Sequence, residues 1–294
     1  MSKIVIPLLT SLLFSGSYVA GKYTTVDLGP LTTTLLRYAV ALAFLGALVP
    51  HYGMRSLALA RRDFVPVALL GLFGIVGYHY FFFTSLALTK VGNTAIINAL
   101  SPVFTGLAAA AFIGERLGTA GYVGVATACA GVLLLVTRGD PGVLLALDLN
   151  RGDLLMLLSV LCWVVYALLV RRLGVRYSSF ALAFHATWLG VAALALLAPA
   201  VESPLAQLRA VSAASVTSVI YMGAGASGLG YLLYNLSIRA IGPTRTSSFV
   251  YSVVAIAVAV LAWAFFGEAI TAVMVASAAL IVLGLRLMMG RAGP

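Results

Sequence analysis

The segment FTGLAAAAFIGERLG (residues 104–118) has a counterpart 153 positions later, AVAVLAWAFFGEAIT (residues 257–271). Each segment is a run of small and apolar residues that closes on a Gly-Glu pair, at Glu115 and at Glu268. A repeat at this separation indicates that the chain consists of two similar halves. Whether these halves fold in water or in lipid follows from the composition.

The composition places the chain in a membrane. Of its 294 residues, 62% are hydrophobic and only 9% are charged, and the mean hydropathy is +1.10. A soluble domain carries roughly 25% charged residues. Apolar runs of about 20 residues, the length of a bilayer-spanning helix, recur along the chain. The sequence therefore predicts an all-α integral membrane protein and not a β-barrel, whose strands would read as alternations of about ten residues.

The net charge of +10 does not indicate a nucleic-acid partner. The basic residues lie in short loops between apolar runs and form no patch with interleaved aromatic residues. Cys129 and Cys162 both lie within apolar runs, and the sequence has neither a disulfide framework nor a metal-ligand spacing. We expect no metal and no cofactor.

Breaks at glycine, proline and charge clusters divide the apolar runs into ten predicted transmembrane helices. They cover residues 4–23, 31–50, 64–89, 92–114, 119–137, 153–172, 179–198, 213–238, 246–266 and 271–288. The third is unusually long, which predicts a tilt or an irregular end. If the N-terminus is cytoplasmic, twelve of the 18 Lys and Arg residues lie on the inner side and five on the outer side. This bias predicts that both termini are cytoplasmic.

The repeat and the helix count together predict inverted symmetry. We assign residues 1–138 to the first five-helix half, 139–152 to a linker and 153–294 to the second half. Because five is odd, the second half would enter the membrane in the opposite sense. Inverted repeats of this kind build secondary transporters, whose substrate site lies near the midplane between the halves.

The sequence resembles the drug/metabolite transporter superfamily, in its ten-span branch with paired EamA-type domains. The resemblance is carried by SPVF at residues 101–104, by Gly114-Glu115 and by the second pair, Gly267-Glu268, and it covers essentially the whole chain. One departure is that Ala255 stands where the second half would repeat Pro102. Within the family, the chain is most similar to the bacterial aromatic amino-acid exporters.

This resemblance implies a non-enzymatic exporter in the inner (plasma) membrane of a bacterial-type cell. The implied substrate is a small metabolite, such as a neutral or zwitterionic amino acid, that crosses through a central cavity lined by both halves. The expected partners are this solute and the lipid bilayer, with no nucleic acid. The expected assembly is a monomer or a weak dimer.

An aromatic cluster that contains one histidine, GYHYFFFTSLALTK (residues 77–90), supplies the first candidates for the cavity wall. On a helix, Tyr78 and Phe82 share one face and His79 lies on the adjacent face. An imidazole in hydrocarbon is costly without a partner, so His79 should face protein or water. In the functional interpretation, Tyr78 and His79 hydrogen-bond the substrate while Phe82 packs against it. The alternative is a set of hydrogen bonds that only hold helices together.

Further candidates lie at mid-depth in other predicted helices. Trp163 is about ten residues into its helix, where an interfacial anchor is not expected, and Tyr166 follows three residues later. Asn98 and Ser101 precede Pro102, which frees a backbone carbonyl near Asn98. The second half adds Tyr234, Ser248 and Tyr251 to the predicted substrate-binding set. For each of these residues, packing between helices is the alternative.

Other polar residues are expected to have structural roles. Glu115 and Glu268 lie at helix ends and should fix loops. His185 and Trp188 have no counterpart cluster and should pack within the protein. Arg37 lies about two turns into its helix, from where its side chain is expected to extend outward to the membrane surface.

The sequence offers no energy-coupling motif. It has no P-loop pattern, and no Asp or Glu falls in the central part of a predicted helix. We therefore favour alternating access or facilitated diffusion down the gradient of the substrate. Weak proton coupling through His79, in an exporter of another substrate class, is the alternative.

Two other classes are less favoured. An intramembrane lipid-modifying enzyme would need an acid/base pair or a metal set at one depth, and the sequence provides no catalytic candidates of this kind. A channel or lipid-flipping scaffold would need a continuous polar path.

Overall fold

A computed structural model describes residues 2–112, 114, 118–140, 142 and 149–289, and every regular element in this part of the chain is helical. The α-helices, numbered in chain order, are α1 Ser2–Asp27, α2 Pro30–Tyr52, α3 Phe64–Gly71, α4 Tyr78–Leu88, α5 Val91–Asn98, α6 Ser101–Phe112, α7 Thr119–Val136, α8 Arg151–Leu173, α9 Ser179–Val201, α10 Pro204–Arg209, α11 Ala213–Ile220, α12 Tyr231–Ile241, α13 Pro243–Phe266 and α14 Ala272–Met289. Two 3₁₀ helices, Met54–Leu57 and Arg61–Asp63, precede α3. Two π-helical segments, Leu72–Gly77 and Tyr221–Gly230, join α3 to α4 and α11 to α12.

Eight helical runs in the described residues are long and apolar enough to cross a membrane. They are Ile4–Asp27, Pro30–Tyr52, Arg61–Leu88, Val91–Phe112, Arg151–Leu173, Ser179–Val201, Ala213–Ile241 and Pro243–Phe266. The predicted fifth and tenth helices correspond to two shorter apolar stretches, Thr119–Leu135 and Ala272–Leu287. These two stretches lie in α7 and α14, each of 18 residues and thus about 27 Å long, close to the thickness of a bilayer core.

Two of the long runs, Arg61–Leu88 and Ala213–Ile241, change from α to π geometry in their middle. The first of them is the third predicted helix, which is therefore irregular in its interior and not at an end. Each π segment stops at a glycine that is followed by tyrosine, at Gly77-Tyr78 and at Gly230-Tyr231. A Cβ atom on Gly77 would lie 3.1 Å from Cys162 Sγ, and one on Gly230 would lie 2.9 Å from the Phe14 ring. The glycines therefore let side chains of neighbouring helices approach the backbone closely.

The predicted fourth helix is broken where proline was expected to loosen it. α5 ends at Asn98 and α6 begins at Ser101, because Pro102 has no N–H to donate to the Asn98 carbonyl. In the second half, where Ala255 replaces this proline, α13 runs unbroken from Pro243 to Phe266. The departure from the family pattern thus coincides with a continuous helix.

The repeated Gly-Glu pairs lie at special backbone positions. Gly114 has φ of +78° and Gly267 has φ of +64°, a left-handed conformation that residues with a Cβ rarely adopt. Glu268 accepts the backbone N–H groups of Val91 and Gly92 at 2.9 and 3.0 Å and so caps the N-terminus of α5. Its expected loop-fixing role is confirmed, whereas Glu115 lies outside the described residues.

Other carboxylates also join helix ends. Glu202 accepts the N–H groups of Leu31 and Thr32, each at 2.9 Å, at the start of α2. Asp63 accepts from Arg176 Nη1 and from the Tyr177 hydroxyl, both at 2.7 Å. These bonds hold the ends of helices that are distant in sequence.

His185 and Trp188 pack within the protein, as expected. His185 Nε2 lies 2.8 Å from the Leu57 carbonyl, and Trp188 Nε1 donates to His185 Nδ1 at 2.9 Å. Since the carbonyl can only accept, the Nε2 atom carries the proton in this arrangement.

Candidate functional site

A small internal cavity lies where α1, α2, α4, α8, α12 and α13 meet. Five predicted site residues line it: Tyr78, His79, Phe82, Trp163 and Tyr251. The centre of a water molecule can occupy about 20 Å³ of this cavity, which is room for about one water. Small-molecule sites usually measure about 300 Å³ or more, so the cavity is closed in this conformation.

The wall of the cavity is a cluster of rings around Trp163, which is 1% exposed. The Trp163 ring stacks on Tyr166 at a centroid distance of 5.0 Å and lies 4.9 Å from the ring of Tyr78. The ring of Tyr231 meets it edge-on at 5.2 Å. These separations are those of favourable aromatic pairs, so the wall is well packed.

Hydrogen bonds behind the rings fix their orientation. Trp163 Nε1 donates to the Tyr234 hydroxyl at 3.0 Å, and the Tyr166 hydroxyl donates to Asn235 Oδ1 at 2.9 Å. The Tyr231 hydroxyl donates to a backbone carbonyl of the first π segment, that of Gly74, at 2.8 Å. Tyr166 and Tyr234 thus support the cavity wall from behind and do not line it.

His79 lies on the cavity wall and also makes a hydrogen bond within the protein. It lines the cavity, and its Nδ1 atom lies 3.1 Å from the Ile75 carbonyl, which can only accept. The Tyr38 hydroxyl lies 3.5 Å from Nδ1 and 3.4 Å from Nε2, and the two rings meet edge to face. The imidazole therefore borders the cavity, contacts Tyr38 of α2 and bonds to the carbonyl four residues earlier in its own helical run.

Asn98 and Ser101 form a second layer at the break between α5 and α6. Asn98 Nδ2 donates to the hydroxyls of Tyr18 and Tyr78, the latter at 3.2 Å, and both of these tyrosines line the cavity. Ser101 Oγ donates to Asn98 Oδ1 at 2.9 Å. The predicted site residue Ser248 lies apart from this group, because its hydroxyl donates to the Thr244 carbonyl of its own helix and does not border the cavity.

Arg37 is the main cavity residue that the sequence reasoning missed. The expectation that it reaches the membrane surface is wrong, because the side chain is 3% exposed and lines the cavity. Its Nε donates to Ser227, and its Nη1 lies 3.6 Å from the sulfur of Met222. Both acceptors belong to the second π segment, about 190 residues away in sequence. Burying a charge without a counter-ion costs several kcal/mol, so this position demands an explanation.

Four further lining residues were also missed: Phe14, Ser17, Tyr18 and Tyr231. Tyr231 had a signal in the sequence, since the Gly230-Tyr231 pair repeats Gly77-Tyr78 at the end of a long apolar run. Ser17 Oγ and the Tyr251 hydroxyl are buried and have no hydrogen-bond partner among the described residues. Two residues with unused hydroxyl groups therefore line the same small space as Arg37.

A larger hollow of about 600 Å³ lies near Glu268, at one end of the helical bundle. Lys22, Lys90 and Arg138 line it together with Asp153 and Glu268. Lys22 Nζ donates to the carbonyls of Leu86 and Thr89, where α4 ends. This charged hollow differs in character from the ring-lined cavity, in which Arg37 is the only charged group that the described residues supply.

A model of the EamA-like transporter family matches the chain twice, over residues 1–137 and over residues 150–290. The chain belongs to the EamA-like transporter family. It is therefore a multi-pass membrane transporter, as the resemblance of its sequence motifs implied.

Relatives of this EamA-like protein carry transporter names. The uncharacterised transporter YyaM of Bacillus subtilis is 28% identical over 96% of the chain and 92% of its own length. The threonine/homoserine exporter RhtA of Salmonella typhimurium is 26% identical over 92% and 86%. The aromatic amino acid exporter YddG of Ancylobacter novellus is 27% identical over 55% and 56%.

A crystal structure of a protein at 23% identity has a TM-score of 0.72 over 98% of this chain and 96% of that one. This similarity supports the fold alone.

Proposed function

We propose that this EamA-like protein exports amino acids with neutral side chains, aromatic ones included, through the central cavity. The observation that carries the proposal is the combination of stacked rings, a buried guanidinium and two unpartnered hydroxyls around one internal space. Rings suit an apolar side chain, and polar groups without partners suit the charged end of a small solute. Relatives named as exporters of threonine, homoserine and aromatic amino acids support the substrate class.

The proposed mechanism is alternating access. With room for about one water, the cavity must widen before a solute enters, so the present conformation corresponds to a closed state. The two π segments border this region, and π geometry within α-helices is frequent at functional sites. We assign the opening to a rocking of residues 1–138 against residues 153–294, joined by the linker 139–152.

The proposal includes the predicted topology of ten crossings in two inverted halves, with both termini in the cytoplasm. Two separate family matches support a division into halves, and the lengths of α7 and α14 support their counting as crossings. α7 and α14 pack closely, since a Cβ on Gly131 would lie 2.8 Å from the Ser277 carbonyl. We propose a monomer or a weak dimer.

The proposed driving force is the gradient of the substrate. Among the described residues, no Asp or Glu lines the central cavity. A second candidate is a proton-coupled exporter of another class of drug or metabolite, and the position of His79 on the cavity wall favours this alternative.

Counterflow in liposomes tests the proposal. Purified protein is reconstituted into vesicles loaded with an unlabelled amino acid, and uptake of the same labelled compound is followed for phenylalanine, leucine and threonine. We expect saturable, transient accumulation that vesicles without protein do not show. An imposed pH gradient separates the two driving forces, because only proton coupling makes accumulation depend on it. Absence of counterflow for the whole panel would refute the amino-acid assignment.

The topology has its own test. Single cysteines near the two chain ends, in a variant that lacks Cys129 and Cys162, should react with an impermeant maleimide from the same side of oriented vesicles. Labelling from opposite sides would rule out the inverted arrangement.

A further inference from the structure

The guanidinium of Arg37 has no anionic partner among the residues that the structure describes. Ion pairs in this part of the chain involve Asp63 with Arg62 and Arg176 only. A guanidinium has five N–H donors, and two acceptors are found for it, Ser227 Oγ and the weakly accepting sulfur of Met222. Its donor capacity is therefore largely unused.

The surroundings of Arg37 hold the charge in place without neutralising it. The guanidinium carbon lies 5.7 Å from the ring centroid of Tyr38 and 5.9 Å from that of Phe83, at the distances of cation–π contacts. The hydrogen bond from Arg37 Nε to Ser227 Oγ fixes one edge of the guanidinium plane. A carboxylate that enters the cavity could bind the remaining N–H groups in the two-pronged geometry that guanidinium favours.

Two more unused polar groups lie at the same cavity. Ser17 is 4% exposed and Tyr251 is 1% exposed, and both hydroxyls lack a hydrogen-bond partner in the described part of the chain. Hydroxyls both donate and accept, so they can bind either a carboxylate oxygen or an amine. Eight buried hydroxyls lack a partner among the described residues, and these two are the ones whose side chains line the cavity, so they are available to a ligand there.

The charge on the cavity wall is therefore one-sided. The described residues place a cation there and no carboxylate, so the cavity offers an ionic partner for a negative group but only hydroxyls, the imidazole of His79 and ring faces for a positive one. A solute should lose more affinity when its carboxylate is removed than when its ammonium group is removed.

We infer that Arg37 is the carboxylate-binding residue of the transport site, and that the site takes small carboxylates with an apolar or aromatic side chain, the amino group being secondary. This inference rests on the proposed transport function. It goes beyond that function by naming the recognised group and the residue that recognises it.

Matched analogues test the inference on the wild-type protein. Phenylalanine counterflow is inhibited with N-acetylphenylalanine, which keeps the carboxylate and lacks the ammonium, and with phenylalaninamide, which keeps the ammonium and lacks the carboxylate. Corresponding pairs of leucine and threonine cover other side chains. We expect each amide to inhibit about tenfold to a hundredfold more weakly than its N-acetyl counterpart, the range of a charge-assisted hydrogen-bonded pair. Equal inhibition by the two analogues would overturn the inference.

Variants separate binding from support of the fold. In Arg37→Gln the preference for the carboxylate analogue should fall to within a few fold, and in Arg37→Lys it should be largely retained. Arg172→Gln, which removes an exposed cation at the end of α8, is the control and should leave the preference unchanged. A purely structural arginine would lower transport in Arg37→Gln while the ratio of the two inhibition constants stayed as in the wild type.

The outcomes distinguish this inference from the function on which it rests. Exchange without a carboxylate preference refutes the role of Arg37 and leaves the transport proposal standing. Absence of exchange for all three amino acids refutes the proposed function and the substrate role of Arg37 with it. If Arg37→Gln does not fold, the wild-type ratio between matched analogues decides.

Discussion

A single methyl group added at Gly74 should disturb the cavity wall. Gly74 lies in the first π segment, and a Cβ added there would overlap Cδ2 of the Tyr166 ring, its nearest neighbour, and lie 2.7 Å from Cγ and 3.0 Å from Cε2. Carbon atoms prefer a separation of about 3.5–4.0 Å, so in Gly74→Ala the ring must retreat by more than about 1 Å. Tyr166 is completely buried and is stacked on Trp163, so the displacement is transmitted to the cavity wall.

The cost of this displacement follows from two contributions. Overpacking a buried site costs about 1–3 kcal/mol. Movement of the ring also stretches the 2.9 Å bond from the Tyr166 hydroxyl to Asn235 Oδ1, and an unsatisfied buried acceptor costs about 1–3 kcal/mol more. Together they predict a loss of about 2–6 kcal/mol in the free energy of unfolding, before any gain from replacing glycine in a helix.

Gly46→Ala is the matched control. It makes the same chemical change in α2, where an added Cβ meets nothing within 4 Å, so only the helix-propensity gain remains. Reversible unfolding in mixed detergent micelles, followed by tryptophan fluorescence, gives both free energies, and counterflow gives the activity. We expect Gly74→Ala to be about 2–6 kcal/mol less stable than Gly46→Ala and to transport more slowly.

A double-mutant cycle identifies the cause. In a Tyr166→Ala background the obstructing ring is gone, so Gly74→Ala should have little further effect on stability. Equal stability of Gly74→Ala and Gly46→Ala would refute the steric reasoning, as would a penalty at Gly74 that persists without the ring.

Four further substitutions test the contacts described above, each by the same unfolding and counterflow measurements. Glu268→Gln should lower stability by about 0.5–2 kcal/mol, because the N-terminus of α5 loses a charged cap; an unchanged value would contradict that role. Asn98→Leu should cost about 2–5 kcal/mol, since Tyr18, Tyr78 and Ser101 all lose a buried partner, and a cost under 1 kcal/mol would show that they find others. Tyr251→Phe should raise stability by about 1 kcal/mol while transport slows, because its hydroxyl has no protein partner; unchanged transport would exclude that hydroxyl from substrate binding. Ser248→Ala should change stability by less than about 0.5 kcal/mol and leave transport intact, and a large loss of transport would return Ser248 to the site.

Short stretches of sequence correctly predicted several features of the helices. Hydropathy over about 20 residues identified the helical runs, and Pro102 identified the break between α5 and α6. The position of Glu268 at a helix end indicated its loop-fixing role, which the structure shows as a cap on α5. The helical runs and the break at Pro102 depend on a few neighbouring residues, whereas the partners of Glu268 lie about 177 positions away, and the sequence did not identify them.

The composition of the site was predicted only in part. Tyr78, His79, Phe82, Trp163 and Tyr251 line the cavity, whereas Asn98, Ser101, Tyr166 and Tyr234 stand behind it and Ser248 lies apart. Periodicity assigns a residue to a face of its helix but does not say which face meets the cavity. The π segments add to this difficulty, because they rotate the following residues away from the α-helical register.

The sequence by itself determined that this protein is a helical membrane transporter whose motifs occur twice along the chain. It also showed that aromatic residues cluster within the apolar runs. Only the tertiary structure decided that Arg37 points inward to the cavity and not outward to the membrane surface. The deciding contacts join Arg37 to Ser227 and Met222, which belong to a segment 185 or more residues away. Long-range packing of this kind leaves no local pattern, because the direction of a side chain on a buried helix is set by the helices that surround it.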